Sequence, residues 1–209
     1  MVYCAITADI VDSRNYENRS ELIAKLKKAV EIINIEYQEH LAAKFIIYSG
    51  DELQGLLKEP AYSYRLIRSL ERAMKPVELH FGVGIGEIST EVPGDLNKAY
   101  TGELDGEAYY HAREMLNQVK KSQQNVIYYF DMPACDLINS LLAFIYTTEK
   151  TRTNRQWETV SLYEELETQK LVAEELGINQ TTVSRNLQRS FYYQIKRAEE
   201  SIFQYLAHI

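Results

Sequence analysis

Two aspartates stand at positions where their carboxylates are able to bind a cation. Asp9 lies at the end of the apolar run VYCAITADI, just before its last residue, and Asp51 lies in SGDELQGLL, between two β-rich segments. Two carboxylates in close contact repel each other unless a cation, a proton or a basic side chain lies between them. Carboxylate oxygens, together with the phosphate oxygens of a ligand, suit Mg²⁺ or Mn²⁺. The pair predicts a metal-dependent phosphate site. A strand-end or turn acid without a ligand is the alternative at each position, and Glu52 is expected to be a solvated turn acid.

The strands and helices predicted around Asp9 and Asp51 indicate how the two side chains come together. Apolar and β-branched runs indicate strands at VYCAITADI, KFIIY, LQGLL, VELHFGVGIGEI and NVIYYF. Helical spacing of apolar residues indicates three helices. They are SELIAKLKKAVEIINIEYQEHL, with Ser20 as its cap, AYSYRLIRSLERAM, which follows Pro60, and GEAYYHAREMLNQVK. The order β-α-β-β-α-β-α-β is that of a ferredoxin-like sheet with one additional helix–strand unit. In such a sheet the first strand lies beside the hairpin, which brings Asp9 and Asp51 together.

The character of the chain changes after Pro133, because no strand pattern follows it. We therefore predict an α+β domain over residues 1–132, with helices packed on an antiparallel or mixed sheet, and an all-helical domain over residues 133–209. Within the second domain, the polar segment EKTRTNR is expected to be a connector between helices.

The segment KLVAEELGINQTTVSRNL has the spacing of a helix-turn-helix, which we place at about residues 169–190. Ala173 lets two helices approach, Gly177 allows a positive φ in the turn, Val183 anchors the second helix and Asn179 caps it. The segment resembles the helix-turn-helix of bacterial transcription regulators. The outward residues of the second helix are of types that suit base edges and phosphates: Gln180, Thr181, Thr182, Ser184, Arg185 and Gln188.

A helical pair used for packing or dimerisation is the alternative for this segment. From residue 169 to the C-terminus there are five basic and four acidic residues, so one subunit neutralises few phosphates. DNA binding therefore predicts a dimer. The helical pattern of FYYQIKRAEESIFQYL predicts no β-hairpin wing after the motif.

Bulk composition narrows the classes of function. A net charge of −7 argues against general polyanion binding, and two cysteines give neither a disulfide framework nor a cysteine-based zinc site. Asp9 interrupts the N-terminal apolar run, which has no basic lead, so the start is not a signal peptide. The longest later apolar run, LLAFIY, is too short to cross a bilayer. We expect a soluble cytoplasmic protein with no membrane partner.

Four segments of the N-terminal part resemble class III nucleotidyl cyclases, in the same order along the chain. ITADIVDSR is similar to their first-strand motif, YSGDELQGLL to their metal-binding hairpin, FGVGIGEI to their glycine-rich strand and GEAYYHAREM to the helix that completes their active site. The resemblance implies a cyclase-type sheet, with Asp9, Asp51 and the carbonyl of Ile10 as ligands of Mg²⁺ or Mn²⁺. It also implies a nucleotide whose phosphates lie at Ser13 and Arg14.

The same resemblance assigns Arg113 to the phosphate charge that develops during transfer, and shows where this chain departs from cyclases. Tyr109 stands where the ribose-orienting asparagine is expected, Ile47 where a lysine selects adenine, and Asp12 where glycine is usual. A cyclase-like fold with a degenerate site, as the resemblance implies, favours sensing of a nucleotide or a metal over efficient cyclisation.

The combination of this domain with a C-terminal helix-turn-helix resembles the SatD family over the full length. The two halves together imply a bacterial DNA-binding regulator whose cyclase-like domain senses a nucleotide or a metal. One alternative is a metal-dependent nucleotidyl cyclase, or another phosphoryl-transfer enzyme, that uses Asp9 and Asp51. Another is a non-catalytic dimeric interaction module. Because cyclase active sites form between two subunits, the resemblance also implies a homodimer.

Overall fold

The computed structural model describes residues 2–209, and of Ser49 it describes the backbone alone. The chain forms two compact units. One runs up to Leu142 and includes the C-terminal segment from Ile202, and the other covers Ala143–Ser201. The domain boundary that the sequence places at residue 133 stays a prediction. Among the described residues, no helix combines the length and the apolar composition that a membrane crossing requires.

The first unit is built on one five-stranded mixed sheet. Its strands are β1 (Tyr3–Ile10), β2 (Leu41–Ser49), β3 (Glu52–Leu57), β4 (Leu79–Gly86) and β5 (Val126–Tyr129). They lie in the order β2-β3-β1-β4-β5, where every neighbouring pair is antiparallel except the parallel pair β4 and β5. The predicted order of strands and helices is confirmed, and β1 lies beside β3 of the hairpin as expected, with β4 on its other side.

The central position of β1 follows from its composition. Five successive residues from Cys4 to Ala8 are 0% exposed, because both faces of this strand are covered. Such a strand needs apolar or small residues on both faces rather than an alternation. The one polar member, Thr7, pairs in register with Gln54 of β3 and Gly82 of β4.

Helix α3 (Glu107–Val119) packs directly on the backbone of β4. A methyl group at Gly82 would lie 2.0 Å from the carbonyl oxygen of Ala112, and one at Gly84 would lie 2.2 Å from that of Ala108. Only glycine permits this approach of helix to strand. The glycine-rich pattern of FGVGIG therefore fixes where α3 lies on the sheet.

Helices α1 (Arg19–Glu36) and α2 (Ser63–Met74) pack against each other in the same unit. Asn18, rather than the predicted Ser20, caps α1, because its side-chain oxygen accepts a hydrogen bond from the amide of Glu21 at 3.1 Å. Pro60 opens a short 3-10 turn that leads into α2.

Strand β2, at one edge of the sheet, pairs irregularly with β3. Its register shifts between Leu41 and Ala43, between Ala43 and Ile46, and between Ile47 and Ser49. Strand β5, at the other edge, is four residues long. The hairpin between β2 and β3 turns at Gly50, where φ is +64°.

The second half of the chain is helical, as predicted. Helix α4 (Ala134–Lys150) is followed by α5 (Asn154–Leu166), α6 (Gln169–Leu176), α7 (Gln180–Arg189) and α8 (Tyr192–Leu206). No described residue after β5 belongs to a strand, and the segment after α7 is helical, in agreement with the absence of a wing.

The connector between α4 and α5 differs from the prediction of a merely polar segment. Glu149 and Arg152 form an ion pair at 3.0 Å, and their side chains are 8% and 2% exposed. The Arg152 guanidinium also donates a hydrogen bond to the carbonyl of Ser190, at the end of α7. Charged residues this deeply buried require partners of this kind, so this connector is part of the packing of the second unit.

Candidate functional site

Asp9 and Glu52 lie at the same end of the neighbouring strands β1 and β3, and Asp51 precedes Glu52 in the chain. The register pairs Ala8 with Leu53, so Asp9 and Glu52 are the next residues of the two strands. Side chains alternate between the faces of a sheet. Asp9 therefore lies on the same face as Thr7, whose partner Gly82 is covered by α3. The candidate site lies between the strand ends and α3.

Lys120, which caps the C-terminus of α3, contacts the carboxylate of Asp9. Its Nζ forms an ion pair with Oδ2 of Asp9, and the two side chains are 38% and 21% exposed. His80 is directly opposite Asp9 in β4. Burial lowers the pKa of His80, and the Lys120 charge lowers it further, while the Asp9 charge opposes the shift. Asp9 therefore already has a cation beside it.

Asp51 and Glu52 have basic partners of their own. Oδ1 of Asp51 lies 3.8 Å from Nη2 of Arg19, and Oε1 of Glu52 lies 3.1 Å from Nη2 of Arg113. Oε1 of Glu52 is buried and accepts no hydrogen bond among the described residues, so its contact with Arg113 is an ion pair without a directed hydrogen bond. The prediction that Glu52 is a solvated turn acid is wrong, since this residue starts β3 and its side chain is 20% exposed.

Two of these basic partners come from one side of α3. Arg113 and Lys120 are seven residues apart, which is about two turns of an α-helix. Their pairing with Glu52 and Asp9 follows from the position of α3 on the glycines of β4. Lys120 was not predicted as a site residue, although its spacing of seven residues from Arg113 indicates that both side chains lie on one side of the helix.

The remaining predicted residues of this site lie in the turn that follows β1. Ile10 is buried and pairs with Leu79 of β4. Asp12 adopts a left-handed conformation with φ of 51° and precedes a 3-10 turn at Ser13–Asn15. Ser13 is half-buried and Arg14 is exposed, so the turn presents one hydroxyl and one guanidinium near the strand end.

Tyr109 and Ile47 stand where the resemblance places substrate-orienting residues of cyclases. The structure gives their side chains other contacts. The Tyr109 hydroxyl lies 2.5 Å from that of Thr101, and burial raises the pKa of Tyr109 to about 12. This residue belongs to the apolar cluster under α3. Ile47 is half-buried and pairs with Leu53. Both side chains therefore support packing.

A divalent cation does not fit this donor set while Lys120 contacts Asp9. The implied ligands are the Asp9 and Asp51 carboxylates and the carbonyl of Ile10. One of the two carboxylates is paired with an ammonium, and the other has a guanidinium at 3.8 Å. Over residues 2–209, leaving aside the side chain of Ser49, no three His, Cys, Asp or Glu side chains come together as a metal-binding group.

Neither cysteine offers a nucleophile to this region. Burial raises the pKa of Cys4 to about 12, and it also raises that of Cys135. A thiol in such surroundings stays protonated and inert at neutral pH.

The second unit contains the other predicted functional segment. Helices α6 and α7 are joined by Gly177, with φ of 61°, Ile178 and Asn179. The side chain of Asn179 accepts hydrogen bonds from the amide and the hydroxyl of Thr182, at 2.9 Å and 2.8 Å. The predicted cap is therefore confirmed, and the Thr182 hydroxyl takes part in it.

Helix α7 has one buried and one exposed face. Val183 and Leu187 are 0% exposed and pack with Val160, Val172 and Ala173. Of the six predicted DNA-facing residues, four are exposed and the other two are half-buried. The exposed residues are Gln180, Thr181, Arg185 and Gln188, and the half-buried residues are Thr182 and Ser184.

Comparison with solved structures gives similarities to nucleotidyl cyclases at low sequence identity. Adenylyl cyclase CyaB from P. aeruginosa is 12% identical, with 64% of this chain and 79% of that chain covered and a TM-score of 0.47. A bacterial light-regulated adenylyl cyclase is 11% identical, with 61% and 74% covered and a TM-score of 0.46. The guanylate cyclase domain of RhGC from Catenaria anguillulae, in complex with GTP, is 16% identical, with 56% and 72% covered and a TM-score of 0.43.

These similarities do not by themselves assign an activity. No curated protein matches the chain at a significant level. The SatD family model matches residues 3–202, which is nearly the whole chain. The chain belongs to the SatD family.

Proposed function

We propose that this SatD-family protein is a DNA-binding regulator that contacts DNA through α6 and α7, and that its α+β unit senses a ligand rather than catalysing a reaction. The observation that carries the proposal is the division of α7 into two faces. Val183 and Leu187 account for the packing of the helix, so Gln180, Arg185 and Gln188 are not needed for the core.

The types of the exposed residues favour DNA over a second protein. Arg bonds guanine or phosphate, and Gln bonds adenine, through pairs of hydrogen bonds at base edges. An exposed face made for protein packing is usually enriched in aromatic residues, Met and Arg. This face of α7 carries Arg185 but no aromatic residue and no Met. The modest local charge supports binding as a dimer, in which two copies of α7 contact two half-sites.

Binding to promoter DNA from the protein's own operon, measured by fluorescence anisotropy over a range of salt concentrations, tests this proposal. We expect Arg185→Ala and Gln188→Ala to weaken specific binding by about 5- to 150-fold, the range for loss of one bidentate base contact. Arg197→Ala is the matched control, since it removes the same charge from an exposed position on α8. If no salt-sensitive binding occurs at micromolar protein, the DNA-binding function is refuted.

A nucleotide is the ligand that we propose for the α+β unit. The support is the turn after β1, where Ser13 and Arg14 lie next to the strand end that carries Asp9. Thermal-shift titration with nucleoside triphosphates, with and without Mn²⁺, tests this assignment on the full chain. Stabilisation that is lost in Arg14→Ala supports it, because ligand binding to the folded state raises stability. No stabilisation by any triphosphate contradicts it.

Metal-dependent phosphoryl transfer is the second candidate, and the meeting of Asp9 and Glu52 at one sheet end, with Asp51 next in the chain, favours it. The ion pairs of these acids count against it, because each carboxylate already has a basic partner. In that setting Arg113 is the residue that would act on phosphate charge. Incubation with each triphosphate and Mn²⁺, followed by chromatography, separates the two candidates. Turnover that disappears in Asp51→Asn would establish the enzyme.

A further inference from the structure

The strand end that carries Asp9 contains a positively charged group supplied by the protein itself. The Lys120 ammonium contacts Oδ2 of Asp9, and both side chains are partly shielded from solvent. Lys120 is therefore the cation that neutralises Asp9.

We infer that Lys120 is a tethered counter-ion that takes the place of a divalent cation at Asp9, so that this unit keeps its acidic strand ends folded without a metal. A carboxylate oxygen in contact with an ammonium is not available to a metal, and the ammonium repels any divalent ion that approaches the second oxygen. The inference concerns the α+β unit alone and does not depend on DNA binding.

The neighbouring acids support the inference, because the compensation extends to all three. Glu52 is paired with Arg113 at 3.1 Å and Asp51 with Arg19 at 3.8 Å, so three acids have three basic partners. Like charges that meet at adjacent strand ends destabilise a fold unless they are neutralised. Three basic side chains supply that neutralisation here: Arg19 at the start of α1, Arg113 in α3 and Lys120 at the cap of α3.

The position of Lys120 is fixed by the fold rather than by a flexible surface contact. It caps α3, and α3 is held on the backbone of β4 by Gly82 and Gly84. The adjacent residue, Lys121, is exposed and carries the same charge, so it provides a control that differs in position alone.

The test measures Mn²⁺ binding to the full chain from the electron paramagnetic resonance signal of free Mn²⁺. Wild type and Lys121→Met are expected to bind Mn²⁺ weakly, and Lys120→Met is expected to bind at least tenfold more tightly. The double variant Asp9→Asn, Lys120→Met should lose that gain, because it also removes the carboxylate that the loss of Lys120 makes available to the metal.

Thermal unfolding gives a second measurement that does not depend on catalysis. Chelation with EDTA should leave the melting temperature of wild type unchanged, whereas Lys120→Met should melt at a lower temperature and recover when Mn²⁺ is added. Lys120→Gln replaces the methionine variant if circular dichroism shows that the latter is unfolded.

Three results would overturn the inference. One is a Kd for Mn²⁺ that differs by less than twofold between Lys120→Met and wild type. Another is an equal gain in Lys121→Met, which would reflect net charge alone. The third is a gain that persists without the Asp9 carboxylate.

Discussion

Helix α3 packs so closely on β4 at Gly82 that one added methyl group is expected to destabilise the fold. In Gly82→Ala the new carbon would lie 2.0 Å from the carbonyl oxygen of Ala112 and 2.2 Å from the amide nitrogen of Leu116. Both are backbone atoms of α3, so no side-chain rotation relieves the contact. Ordinary van der Waals contact begins near 3.4 Å, and α3 must therefore move by more than 1 Å.

The cost follows from general magnitudes for overpacked cores. Inserting a methyl group into a well-packed site typically destabilises by about 1–3 kcal/mol, and two backbone contacts this short place Gly82→Ala at the upper end. Replacing glycine by alanine also restricts the unfolded chain, which offsets about 0.4–1 kcal/mol. We expect a net loss of about 2 kcal/mol or more in the free energy of unfolding. Because α3 carries Arg113 and Lys120, its displacement should also loosen their pairs with Glu52 and Asp9.

Urea denaturation followed by far-ultraviolet circular dichroism measures this loss. Gly94→Ala is the matched control, since no heavy atom beyond its own residue and its two chain neighbours lies within 4 Å of a methyl group at that position. If Gly82→Ala were as stable as wild type or as Gly94→Ala, the argument that β4 glycines hold α3 against the sheet would be refuted.

Three further predictions concern other parts of the chain. Burial lowers the pKa of His80 below 6.5, so the unfolded state takes up a proton more readily than the folded state. The free energy of unfolding should therefore be retained above pH 6.5 and fall as the pH drops below that value. His80→Gln should remove this part of the pH dependence of the urea midpoint. Arg152→Met should cost about 3 kcal/mol in urea denaturation, the lower end of the range for a broken buried ion pair, because it removes one ion-pair partner of the buried Glu149 carboxylate; a cost below about 1 kcal/mol would contradict this role. Leu187→Ala should cost about 2–5 kcal/mol, whereas Gln188→Ala, one residue away and exposed, should stay within about 0.5 kcal/mol of wild type.

Local sequence patterns predicted the elements well, because each depends on residues that are near one another in the chain. The apolar, β-branched run VYCAITADI indicated β1, the glycine-rich run FGVGIG indicated β4, and helical spacing of apolar residues indicated α1, α2 and α3. The Asn179 cap was predictable for the same reason, since a cap involves residues within one turn. The prediction of Ser20 as the cap was wrong because the helix starts at Arg19, before its first apolar residue, so that Asn18 is the residue at the cap position.

The partners of the charged residues could not be predicted from local patterns, since they depend on tertiary placement. Glu52 was interpreted as a turn acid, but the register places it at the start of β3, within reach of Arg113. Lys120 meets Asp9 because the glycines of β4 determine how α3 crosses the sheet. The same holds for Glu149 and Arg152, which lie in a polar run but are buried by the packing of the second unit.

The two edges of the sheet limit how copies of this protein are able to associate. An exposed, regular edge strand is a template for strand addition and aggregation. Here β5 offers only four residues, and β2 changes register three times along its pairing with β3. Neither edge presents a long, regular row of backbone donors and acceptors. The sheet is therefore expected to resist the edge-to-edge stacking that leads to fibres.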